Sequence, residues 1–138
     1  MIKIRNLKSF SVDVDKFADR LGLDVVTVVK KLSFDIFADV VAGTPVDTGR
    51  AMNNWNISVG VPNHKVRKAG GTAASVASGK QGEATTALAT LAPFQTVWLS
   101  NSLPYIGFLE EGTSKQAPNG WVARAIQNNM QQLGRFGL

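Results

Sequence analysis

Between Ser11 and Ala42, apolar residues recur every three or four positions: Val14, Phe17, Leu21, Val25, Val28, Leu32, Ile36 and Val40. Lys16, Arg20, Lys30, Lys31, Asp35 and Asp39 fall largely off that stripe. This period predicts an amphipathic helix over 11–42. Ser11 or Asp13 is placed to accept bonds from its first amides, and Gly22 can divide it into a short and a long piece. Gly43, suited to a left-handed cap, and Pro45, which cannot continue a helix, predict its end. The period then changes to two. Trp55, Ile57, Val59 and Val61 alternate with Asn56, Ser58 and Gly60, which predicts a half-buried strand closed by Pro62-Asn63. A second strand is expected over Gln95–Ser100, around Val97-Trp98-Leu99. Residues Trp121, Ala125, Ile126, Met130 and Leu133 mark a C-terminal amphipathic helix opened by Asn119-Gly120.

The segments between are less regular. Lys65–Gly82 is rich in Gly, Ala, Ser and Lys and has no apolar period, so a flexible basic loop or arm at about 63–82 is expected. Glu83–Leu91 suits a short helix stopped by Pro93, and Tyr105–Glu111 a helical turn ended by Gly112. Ile2–Arg5 carries a faint strand signal. Together these predict a single domain, 1–138, of the α+β class. Its small antiparallel sheet has three or four strands, packed by the long N-terminal helix and the C-terminal helix.

Composition sharpens this outline. With 44% hydrophobic and 18% charged residues, 138 residues suffice for one domain with a real core. No apolar run approaches the roughly 18 residues of a membrane span, and the N-terminus has no signal-peptide character. A protein made and kept in a cytoplasm is the expectation. The absence of cysteine excludes disulfides and thiolate metal sites. The net charge of +5 is concentrated in residues 51–100, where Lys65, Arg67, Lys68 and Lys80 face the single Glu83.

Candidates for chemistry are few. The one histidine, His64, stands in a polar turn without clustered carboxylates, which argues against a metal site or a catalytic triad. Glu110 and Glu111 are chain neighbours, so on a short helix they point apart rather than forming an acid/base pair. Gly71–Gln81 has the wrong glycine spacing for a phosphate loop. Asn56-Ile57-Ser58 fits a glycosylation sequon by coincidence. No catalytic residue, metal or cofactor is expected, and the chain does not read as an enzyme. Lys65, Arg67, Lys68 and Lys80 are candidates for contact with DNA phosphates or an acidic partner, although no aromatic lies between Trp55 and Phe94 to stack on bases.

Two turn-dense segments remain. Thr44-Pro-Val-Asp-Thr-Gly-Arg50 reads as a corner. Asp47 and Thr48 can bond local amides, Gly49 permits a positive φ, and Arg50 is placed to pair with Glu110 or Glu111. Residues 101–125 form a lobe of Pro104, Gly107, Gly112, Pro118 and Gly120 around Tyr105, Phe108, Leu109 and Trp121.

Taken together, these segments resemble the tail-completion or head–tail joining (neck) family of long-tailed bacteriophages, minor tail protein Z-like. One motif is Pro45, Asp47, Thr48, Gly49 and Arg50 with Trp55. The other is Asn101, Pro104, Tyr105, Glu110, Gly112, Thr113, Pro118 and Gly120. Both occur in the family's order, over about residues 11–133. Ile106, Phe108 and Trp121 depart from the pattern outside the motif skeleton. The resemblance implies a non-enzymatic virion protein, assembled in the bacterial cytoplasm. It would form a ring of its own copies, commonly hexameric, that completes the tail and joins it to the connector. Its partners would be neighbouring neck, connector and tail-tube proteins, with passing DNA a further contact and no membrane. The alternative is a small basic nucleic-acid-binding module using the 65–80 loop.

Overall fold

The computed structural model describes residues 2–6, 9–12, 24–46, 49–68, 70–107 and 120–134. Strands β1 (Ile2–Asn6) and β2 (Ser9–Val12) precede the long helix α1 (Val25–Gly43). A single helical turn, α2 (Arg50–Asn53), leads into β3 (Trp55–Val59). Helix α3 (Ala73–Leu88), strand β4 (Val97–Asn101) and helix α4 (Trp121–Gly134) complete the order. The chain is thus α+β.

β3 and β4 pair antiparallel with Trp55 opposite Asn101, Ile57 opposite Leu99 and Val59 opposite Val97. β2 lies on the other side of β4, with Phe10 opposite Leu99, and β1 flanks β2, so the order is β1-β2-β4-β3. Alternation along a strand sends Trp55, Ile57, Val97 and Leu99 into the core and leaves Asn56, Ser58, Trp98 and Ser100 on the opposite face.

Helix α1 supplies the centre of the core through Val29, Leu32, Ile36, Phe37, Val40 and Val41, all buried. Asp24 caps it, accepting from Val26 N at 3.1 Å and Thr27 Oγ1 at 2.7 Å. Of the helix expected from Ser11, Ser11 and Val12 belong to β2, because they extend the sheet beside β4, and 13–23 lie outside the described residues. Gly43 does not take the left-handed cap, since α1 runs through it. Its role is close approach: a Cβ there would stand 2.8 Å from Cδ1 of Trp121.

The largest departure from expectation is α3. In place of a flexible arm over 63–82 followed by a short helix from Glu83, one helix runs from Ala73 to Leu88. Thr72 caps it through Ser75 N. Val76, Lys80, Ala84 and Leu88, each one turn apart, form its buried line. That line packs on α1 and along β3, the edge strand, which is how an exposed edge is covered. The C-terminal helix α4, expected on the sheet, packs chiefly on α1 through Trp121, Val122, Ala125 and Ile126. The faint Ile2–Arg5 signal is β1, and a helical turn opens at Ile106, with Ile106 N donating to Leu103 O.

Candidate functional site: a tied corner and a polar strap

The corner is held from several directions at the C-terminal end of α1. Thr44 is buried; its Oγ1 donates to Val40 O at 2.7 Å and accepts from Trp55 Nε1 at 2.9 Å. Trp121 Nε1 donates to the same Val40 carbonyl at 3.1 Å. Both indoles therefore bury their rings without an unpaired N–H. Pro45 is buried beside Thr44. Gly49 takes φ 77°, and any side chain there would collide with the Gly71 carbonyl, so the corner and the lead-in to α3 meet backbone to backbone. Arg50 opens α2 and is partly buried.

The second motif begins against the first. Asn101, fully buried at the end of β4, donates from Nδ2 to Ala51 O at 2.9 Å and accepts from Leu103 N through Oδ1 at 3.1 Å. One amide thus fixes α2 and the start of the lobe together. Pro104 and Tyr105 are exposed, and Gly120 takes φ 73° ahead of α4. Asp47, Thr48, Glu110, Glu111, Gly112, Thr113 and Pro118 lie outside the described residues, and with them the expected Arg50–glutamate pair.

Residues 60–68 form a strap with no regular secondary structure, laid over the polar face of the β3–β4 pair. Side chains replace the missing ladder. Trp98 Nε1 donates to Gly60 O, and Ser58 Oγ to Val61 O. Ser100 Oγ and Asn56 Nδ2 both donate to Asn63 O, and Asn56 Nδ2 also reaches Lys65 O at 2.9 Å. Asn54 ends the strap: its Oδ1 accepts from Arg67 N at 2.6 Å while its Nδ2 donates to Arg67 O at 2.8 Å. A primary amide offers the same donor–acceptor pair as a peptide, so Asn54 holds Arg67 as a neighbouring strand would. Asn56, buried and doubly bonded, is no glycan acceptor.

The four candidate cations divide into two pairs. Lys65 and Lys68 are exposed. Arg67 and Lys80 turn inward, correcting the expectation that all four face a partner. Arg67 Nη1 donates to Asn56 Oδ1 at 2.7 Å and Asn53 O at 3.3 Å, and its Nη2 lies 3.5 Å from Glu83 Oε1. Lys80, only 1% exposed, bonds the other Glu83 oxygen at 2.9 Å. Desolvation holds the Lys80 ammonium below the ordinary lysine pKa, opposed by its hydrogen bond to Glu83 and that residue's charge. The physical reason for the inward turn is Glu83, the sole carboxylate between Thr48 and Leu109.

His64 Nδ1 lies 3.1 Å from Ser102 Oγ in an exposed contact. Among the described residues no three His, Asp or Glu side chains group as a metal site, and no helix is long and apolar enough to cross a membrane. An open recess of about 450 Å³ between α1 and α3 is floored by Phe34, Leu88 and Ala89, with the Lys31–Asp35 ion pair on its rim. Sequence reasoning missed Asn54, Asn63, Glu83 and Ser100; the run Asn53-Asn54-Trp55-Asn56, polar groups flanking a core indole, was the available signal. Comparison of the chain with protein-family models, curated proteins and solved structures finds no match.

Proposed function

We propose that this protein is a structural component of the neck of a long-tailed bacteriophage. Its copies close into a ring, commonly hexameric in the family it resembles, that completes the tail and joins it to the head connector. The observation that carries this reading is the bond from Asn101 to Ala51, between residues 50 apart in sequence. The described part of the corner and the start of the second resembling segment are thereby parts of one braced piece. The Thr44–Trp55 and Val40–Trp121 bonds bind that piece to the ends of two helices. Bracing of this kind serves a protein whose job is to hold a contour: unlike patches on successive copies close a ring only if each subunit keeps the same angle. The protein acts without turnover, and its assembly surface is the corner and lobe, with Arg50 and Glu110 among its determinants.

The nucleic-acid reading loses ground, because Glu83 engages two of its four cations. The test is electron microscopy of the purified protein, alone and mixed with tails or filled heads. Rings, and rings seated on a head or tail end, are expected, and Arg50→Ala and Glu110→Ala should reduce both. A protein that stays monomeric at high concentration and attaches to neither particle would end the reading.

A further inference from the structure

The face made by the strap and the turn before β4 has two features that are unfavourable in an isolated chain. Phe94 is 84% exposed, and it holds φ 67°, a left-handed conformation strained for a bulky side chain. The turn is fixed around it: Ala92 N donates to Gln95 Oε1 at 2.7 Å and Gln95 N to Ala92 O. Gly60 N bonds Thr96 O, which brings Val61, 73% exposed, to the same end of the β3–β4 pair. Half-buried Trp98 lies beside them, bonded to Gly60 O. Further along the strap stand Val66, also exposed, and the cations Lys65 and Lys68. Among the described residues, the strap and the turn before β4 bring no carboxylate of their own to this face, since 60–68 and 92–98 contain none.

We propose that this face docks an acidic polypeptide, with Phe94 and Val61 as apolar anchors and Lys65 and Lys68 steering and flanking the contact. Charge selects the occupant. Two such faces brought together would oppose like charges, which disfavours a symmetric pair of copies. The described carboxylates of a second copy are engaged within their own chain: Asp24 at the α1 cap, Asp35 with Lys31, Asp39 with Asn129, and Glu83 with Lys80. The duplex backbone would satisfy the lysines but gives Phe94 and Val61 nothing to bury against. A chain carrying both carboxylates and apolar side chains satisfies both. Phe94, Val61, Lys65 and Lys68 belong to neither of the two resembling motifs, so this inference stands whether or not the protein forms rings.

The test pans a random dodecapeptide display library against the full chain and measures the selected peptides by isotope-edited NMR. Enrichment of Asp and Glu among apolar residues is expected, with shifts confined to 60–68 and 92–98. Phe94→Ser and the pair Lys65→Glu/Lys68→Glu should each weaken binding about tenfold or more. Phe94→Gly, which relieves the strained φ, should weaken binding while leaving the melting temperature unchanged or raised. Selection of basic peptides, or of none, overturns the inference. So does self-association that Phe94→Ser abolishes. Duplex DNA bound through Lys65 and Lys68 with no dependence on Phe94 would overturn it as well.

Discussion

Helices α1 and α3 lie against each other but are built from opposite materials. α1 buries six large apolar side chains at its centre and would find a place in almost any core of this size. α3 buries a single line of four residues, of which one is an alanine and one a lysine, and its outer face carries Gly79 and Gly82. Isolated helices of this length are marginal even with better composition, so tertiary contact must hold α3 in place. Its position rests on α1, on the edge of β3, and on Glu83, which joins Lys80 to Arg67 and so couples the helix to the strap. The contrast teaches that one of the two helices makes the core and the other is recruited to it. The strap and α3 should therefore open as one cooperative unit, before α1 and its sheet.

Core truncations test this contrast with the largest effect. Phe37→Ala in α1 removes a fully buried ring and should cost about 3–5 kcal/mol, unfolding the chain as a whole. Leu88→Ala in α3 should cost about 2–4 kcal/mol and, before global unfolding, loosen hydrogen-exchange protection in 73–88 and 60–68 together. Equal protection across α1 and α3 in that variant would remove the distinction.

Lys80→Met tests whether the buried charge stabilises α3 or merely survives there. Glu83 is part-exposed and keeps Arg67 beside it, so removing the ammonium leaves no uncompensated buried charge, and Lys80→Met should be neutral or stabilising by up to about 2 kcal/mol near neutral pH. The pH dependence has a definite sign. Burial lowers the folded-state pKa of Lys80 beneath the ordinary 10.5. As pH rises through the folded value toward the unfolded one, the folded state sheds its proton first and the wild type gains stability. The advantage of Lys80→Met should therefore shrink over that window, as read from denaturation midpoints at stepped pH. An advantage that grew with pH would show that the charge itself contributes favourably.

The smallest expected effect sharpens the claim that α3 is recruited. At Gly79 and Gly82 a Cβ would meet nothing within 4 Å. Gly79→Ala and Gly82→Ala should each stabilise by about 0.5–1 kcal/mol through helix propensity alone. A loss on either substitution, measured by thermal melting, would mean that face is not open in solution.

How much of this was legible in the residues follows from the same contrast. The core stripe of α1 from Val25 onward, the alternation of β3, the apolar run of β4 and the face of α4 were readable. Each presents a period that only one backbone geometry can bury on one side. The corner's need for glycine at position 49 was readable too. α3 was not, because Lys80 breaks its apolar line and two glycines lower its propensity. The inward turn of Arg67 and Lys80 depends on where Glu83 comes to lie. The anchor Phe94 had no signal beyond its place after Pro93, since φ 67° comes from a turn closed by Ala92 and Gln95.

The sequence by itself determined the α+β class, the core segments of α1, β3, β4 and α4, and the two turn-dense motifs, because periodicity and backbone restriction are local properties. The tertiary structure alone decided that Asn54 holds the strap as a strand would, that Asn101 joins the two motifs, and that Gly43 makes room for Trp121. Those are contacts between residues far apart along the chain, and a polar side chain's role depends on which donor or acceptor folding brings within reach.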